Sequence, residues 1–233
     1  MSINSSPNRI SSIAPHRDGG RLGRIGGLSA LGAAGTWVFG IALFATSLSD
    51  YVDATPADAV DFLVGHQTTL LAWYIGIFVV FGALLVPLAL ALRQRLRGDA
   101  PELADASTVF AMIWAGLMFA TGMISNIGIE DVANLAETDR AGAINLWSSI
   151  DTVTNGLGGG NELVGGIWVL LVSLAAWRGA LPRGLNVLGV VSAVAGVATV
   201  IPAFEAAEMV FGLGLIVWFV WLGVALLDRR NDA

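Results

Sequence analysis

Six stretches of this 233-residue chain are long and apolar enough to cross a bilayer, which constrains the fold more than any other feature. A spanning helix needs about 20 largely apolar residues. Inside a bilayer only helices and closed barrels satisfy every backbone N–H and C=O. The stretches run from about Ile25 to Leu48, Thr69 to Leu92, Ala104 to Gly128, Leu157 to Trp177, Leu185 to Ile201 (ending at Pro202) and Ala206 to Leu227. The expectation is an all-α polytopic membrane bundle of six transmembrane helices over residues 24–228. Residues 1–23, rich in Ser, Asn, Pro and Arg, are predicted to form a disordered cytoplasmic tail, and residues 229–233 a second tail on the same side. No short apolar segment with a small-residue cleavage site precedes the first stretch, so that stretch is read as uncleaved. Pro87 is expected to kink the second stretch near its inner end.

The basic residues set an orientation. The chain has no Lys, and eleven of its twelve Arg flank one set of loop ends. Arg9, Arg17, Arg21 and Arg24 precede the first stretch; Arg93, Arg95 and Arg97 follow the second. Arg178 and Arg183 bracket the turn between the fourth and fifth, and Arg229 and Arg230 follow the sixth. Arg140 is the exception. Short loops rich in Arg stay cytoplasmic, which predicts a multi-pass protein of the cell inner (plasma) membrane with both termini inside. Six crossings independently return the two termini to one side.

Composition excludes several functions. Hydrophobic residues make up 55% and charged residues 13%, outside the range of soluble domains. The net charge of -6 reflects Asp and Glu concentrated in the outward loops, and no basic stripe for nucleic acid exists beyond the loops that topology explains. With no Cys there is no disulfide or thiolate metal site. With no Lys there is no retinal Schiff base. His16 and His66 are the only histidines and His16 lies in the tail, so one chain cannot build a bis-His haem site. No cofactor or metal is called for.

The outward loops carry local signals. Thr55-Pro56 reads as an N-cap followed by proline at the first helical position. Ala57, Val60, Leu63 and Val64 then recur at helical spacing as far as Gly65, which predicts a short interfacial helix. The segment from Ile129 to Asn155 puts Ile144, Trp147, Ile150 and Thr154 on one face. It is either a second interfacial helix or an extension of the fourth span broken at the glycines 156–160. Tyr51, Trp73, Tyr74 and Trp147 near the outside, with Trp177 at the inside, fit the aromatic belts of membrane proteins.

Polar side chains inside spans are costly and default to a functional hypothesis. Glu162 lies sixteen residues before Arg178, about 24 Å along the helix, hence in the outer leaflet. Asn161 is beside it, and Asn126 is near the outer end of the third span. Asp151 precedes the glycine run, and His66 caps the outer end of the second span. Glu205 and Glu208 open the sixth span and share a face, although a helix amino terminus also favours carboxylates there for structural reasons. Together these seven residues predict an outward-facing acidic vestibule able to take a cation, an amine or a proton. A lipid-facing Glu162 would cost on the order of 2–3 kcal/mol, so its side chain is expected to turn inward toward Asn126, Asp151 or Glu208. Gly189, Ala193 and Gly196, and Gly32 with Gly35, are expected to serve close helix packing.

The turn Trp177–Gly189 reads W-R-G-A-L-P-R-G-L-N-V-L-G. It resembles a feature of a bacterial family of small six-helix inner-membrane proteins, the domain of unknown function designated 4386. The layout is similar over about residues 24 to 228: an Arg-Gly start, a long outer loop before the second span, and a glycine-bearing fourth span ending in Leu-Pro-Arg. The most specific match is Leu181-Pro182-Arg183 followed by Leu185 and Gly189. The segment Gly158-Gly159-Gly160-Asn161-Glu162 departs from the family pattern. The resemblance implies a topology and brings no activity, cofactor or catalytic residue.

Three function classes follow in order. The first is a non-enzymatic sensor or accessory protein with an outward-facing acidic pocket. The second is a small-solute or cation transporter using that vestibule, placed lower because few polar groups lie near the midplane. A membrane hydrolase is third, since no nucleophile, base and orienting group occur together in one leaflet. The expected partners are the lipid bilayer, a small cation or polar ligand from outside, and a second copy or another membrane protein.

Overall fold

The computed structural model describes residues 18–52, 54–159, 162–204 and 206–228. Every secondary-structure element among them is helical. Helix α1 (Asp18–Ser47) begins seven residues ahead of the expected start, and α2 (Ser49–Val52) is a single turn after it. Helices α3 (Pro56–Tyr74) and α4 (Phe81–Leu96) are joined by a π-helical segment, Ile75–Val80. Helix α5 (Pro101–Ala136) runs two turns past the expected Gly128, and α6 (Arg140–Thr154) passes into a second π segment, Asn155–Gly159. Then come α7 (Glu162–Ala175), a 3-10 turn (Ala176–Arg178), α8 (Arg183–Ala198), a 3-10 turn (Pro202–Phe204) and α9 (Ala207–Leu227).

Five of these helical paths are long and apolar enough to cross a membrane: Gly20–Ser47, Pro56–Leu96, Pro101–Ala136, Arg140–Arg178 and Ala207–Leu227. The remaining apolar helix, Arg183–Ala198, ends short of the expected Ile201. Thr199 turns its hydroxyl back to donate to the Gly196 carbonyl, and Pro202, lacking an N–H, prevents regular extension. Outward-facing Val109, Ile113, Val191, Val194 and Val217 sheathe the bundle in exposed aliphatic surface, as a lipid environment demands.

The expected cap at Thr55 is present: its hydroxyl accepts from the Asp58 N–H at 3.3 Å, with Pro56 at the first helical position. The helix that follows does not stop at Gly65. It continues through a kink at His66 (φ -130°, ψ 29°) into the second apolar stretch. Pro87 lies within regular α4. The segment between α5 and α7 is likewise helical over most of its length. Its Ile144–Trp147–Ile150 face packs inward, with Ile150 filling the space beside Gly128, so Trp147 is buried rather than part of a belt.

Helices α1, α4, α5, α7, α8 and α9 each pack on the next, and α9 returns to α1, closing a ring; α3 and α6 lean on α5. Most of the described arginines gather at one end of this ring. Gly26 abuts Ala91 and Leu226, which brings the start of α1 to the ends of α4 and α9. Arg95 donates to the Ala180 carbonyl at 2.9 Å, Arg178 to that of Asp99 at 3.4 Å, and Arg93 pairs with Asp105 at 2.7 Å. Among the described arginines, Arg140 alone lies at the opposite end, in a forked pair with Asp61 (3.2 and 2.7 Å) that ties α6 to α3 outside the apolar stretches. The guanidinium holds the Asp61 carboxyl below the usual carboxylate range. A depressed carboxylate adds stability above its unfolded-state pKa, and the gain fades as pH falls through the folded value.

Glycines set the closest approaches. A Cβ on Gly166 would lie 2.9 Å from the Ala193 carbonyl oxygen and 3.2 Å from the Val197 nitrogen, so α7 and α8 meet backbone to backbone. Gly35 has open space around it. Thermal unfolding of the purified protein should therefore show Gly166→Ala destabilised by about 1–3 kcal/mol, and Gly35→Ala unchanged. Arg140→Gln should speed hydrogen exchange across residues 56–65 at neutral pH while leaving the bundle's unfolding intact. That difference in exchange from the parent should vanish in acid, where Asp61 is protonated.

Candidate functional site

The bundle is sealed through its middle and open at the end away from the arginines. The seal is aromatic. Phe81 of α4 meets Trp114 of α5 at 5.0 Å, Trp114 meets Trp168 of α7 at 5.7 Å, and Trp168 meets Trp218 of α9 edge-on at 5.5 Å. Phe219 closes the group against Phe81 at 5.8 Å. These five rings are fully buried.

Above the seal lies a cavity of about 350 Å³, within the range of small-molecule sites. The second half of α1 supplies Trp37 and Phe44, and α3 supplies Trp73 and Tyr74. Helix α5 contributes Met118 and Thr121 near the floor, α6 Asp151 and Thr154, α7 Glu162, and α9 Glu208. Both π segments border it, through Ile77 and Phe78 in one and Asn155 in the other. π turns inside α-helices recur at functional sites because the extra residue re-aims the neighbouring side chains.

Glu162 is the most enclosed acid here, 8% exposed at the first position of α7. No side chain among the described residues bonds or pairs with it. Glu208 lines the same two cavities. Asp151 accepts from the Asn155 amide at 3.0 Å, and its charge reaches Tyr51. The Tyr51 hydroxyl accepts from the Trp147 indole at 3.1 Å, and burial pushes that phenol well above its ordinary range. The Thr121 hydroxyl and the indole N–H groups of Trp37 and Trp73 are buried without a hydrogen-bond partner. Buried polar groups normally find one, so this lining has unused capacity.

A second cavity of about 840 Å³ continues the first sideways, sharing Trp37, Ile41, Phe44, Glu162 and Glu208 with it. Its remaining wall is the start of α9, chiefly Met209, Gly212 and Leu213. Ile41, Phe44, Met209 and Leu213 are all exposed on the outer surface, so the opening between α1 and α9 leads onto the apolar sheath.

Of the seven residues expected in the vestibule, three meet here: Asp151, Glu162 and Glu208. Asn126 is half-buried on α5 with its carbonyl oxygen unpartnered, away from the cavity lining. His66 is exposed at the α3 kink, stacked on Phe62 at 4.0 Å with Nδ1 3.0 Å from the Phe62 carbonyl. Asn161 and Glu205 lie outside the described residues. Among the described residues, no three His, Asp or Glu come together closely enough to hold a metal ion. Trp37, Thr121 and Asn155 were not anticipated. Trp73 and Tyr74 were expected only as belt residues, and belt position is compatible with lining a cavity at the same depth. No family model, curated protein or solved structure matches the chain.

The natural absence of cysteine makes solvent access directly measurable. Asp151→Cys should react quickly with a charged thiol reagent from the cavity side. Ser173→Cys, at a fully buried position in α7, should stay unreactive from both sides of a sealed vesicle.

Proposed function

We propose that the chain is a six-crossing protein of the cell inner (plasma) membrane, with both termini cytoplasmic, whose outward-facing acidic cup binds a small ligand. It acts as a sensor or accessory protein rather than an enzyme. The observation carrying this reading is Glu162: an enclosed carboxylate with no side-chain partner among the described residues, at the junction of two connected cavities. An acid in such surroundings is costly to keep, and a ligand would offset the cost. The likeness of Leu181-Pro182-Arg183 to the 4386 family supports the same topology and adds no activity. The lining hydroxyls, Thr121 and Thr154, have no His or Lys among the described lining residues to activate them, which speaks against hydrolysis.

Transport is the second reading, and cavity depth favours it. Met118 lies ten residues inside Gly128, about 15 Å along α5, roughly half the thickness of a bilayer core. Against it stands the Trp and Phe seal, which would have to part. In intact cells, Asp58→Cys should label with an impermeant maleimide well before Gly98→Cys; the reverse order overturns the orientation. Labelling of Ser173→Cys, which lies past Trp168 toward Arg178, by a reagent added from the outer side would show the seal opening and move the reading from binding to transport.

A further inference from the structure

We propose that the cup takes a lipophilic organic cation, a positive centre such as an ammonium or phosphonium carrying apolar groups, which enters sideways between α1 and α9. The inference rests on reading the cup as a ligand site and adds what the ligand is and how it arrives.

Charge comes first. Among the described residues, the two connected cavities are lined by Asp151, Glu162 and Glu208 and by no Arg, Lys or His. Arg140, at the same end, is engaged with Asp61. An enclosed carboxylate without a protein counter-charge calls for a cation from elsewhere. Thr121 gives a second indication: it lines the floor, is 1% exposed, and its hydroxyl has no partner.

The shape of the site selects the kind of cation. A compact metal ion needs several oxygens converging at about 2.0–2.6 Å, and these acids, borne on three separate helices, do not form such a group. A bulky, weakly hydrated cation instead gains from aromatic faces. Trp73 stands edge-on to Tyr74 at 4.9 Å and to Phe78 at 5.8 Å, with Trp37 also in the lining. The side opening supplies the last constraint. Its walls are Ile41 and Phe44 on one side, Met209 and Leu213 on the other, all exposed. A small hydrated amine gains nothing from that surface, whereas a cation with an apolar body can partition into the sheath and slide through.

Equilibrium dialysis with radiolabelled tetraphenylphosphonium, on full-length protein in dodecyl maltoside, tests this. Saturable binding of one equivalent per chain is expected. Tetraphenylborate, of the same shape and opposite charge, and neutral triphenylphosphine oxide should not saturate. Glu162→Gln should weaken tetraphenylphosphonium at least tenfold. Glu208→Gln and Asp151→Asn, at exposed positions that leave the fold intact, should each weaken it severalfold. Gly212→Leu, which narrows the slot opposite Trp37, should slow association. Repeating the titration in phosphatidylcholine nanodiscs separates two sources of the cation: competition by the lipid identifies a headgroup ligand, and unchanged affinity a free one. The proposal is overturned if the borate or the oxide binds as tightly as the phosphonium, or if none of the three carboxylate substitutions changes binding. It also falls if no probe binds while Asp151→Cys still labels, which leaves the cup without its cation. An unreactive Asp151→Cys would instead remove the cup itself.

Discussion

The stacked indoles and phenyl rings between α4, α5, α7 and α9 are the contact on which the rest of the bundle depends. Between helices already in lipid, burying apolar surface gains little, and association relies on packing fit. Wide rings achieve that fit only where the facing helix gives way. Several large rings have such a place: the Trp114 ring lies against Gly165, Trp218 against Gly189, and Phe211 against Gly196. A Cβ at any of these glycines would meet the ring closer than van der Waals contact allows. Helices α7 and α8 can therefore approach to backbone contact at Gly166 while enclosing three tryptophans. Edge-on pairing, as between Trp168 and Trp218, directs the positive ring edge at a neighbouring π face, which suits a dry interior.

The cup begins where the rings no longer fill the space. Trp37, edge-on to Phe81 of the seal at 6.1 Å, and Phe44 wall its α1 side. The two π segments fall at that level, turning Phe78 and Asn155 toward the space. Sealed middle and open end are thus consequences of one packing pattern. The fold confines its enclosed carboxylate to the part of the bundle that solvent can reach, while the polar side chains buried beyond the seal are uncharged, such as Ser173, Ser192 and Asn186.

Much of the candidate site could be read from the chain because charge in a membrane is expensive wherever the helix places it. Glu162 stood out for that reason, and depth counted from Arg178 put it in the same outer layer as Asp151 and Glu208. His66 and Asn126 met the same criterion and lie elsewhere, since depth says nothing about direction around a helix. His66 sits on the outside of a kink, stacked on Phe62. Trp37 and Thr121 carried no signal at all: a tryptophan or threonine inside an apolar stretch costs little in any orientation.

The sequence by itself determined the helical class, the apolar stretches, the cap at Thr55 and the gathering of arginine at alternate loop ends. Each follows from local rules of backbone satisfaction, hydropathy and charge that do not depend on neighbouring helices. Tertiary structure alone decided that the loop after Thr55 runs on as one helix through His66 and that Asn155–Gly159 form a π turn continuing α6. It also decided which helices enclose Glu162. Those outcomes depend on which face of one helix meets which face of another, and that is settled by the fit of glycines against rings across the whole ring of helices.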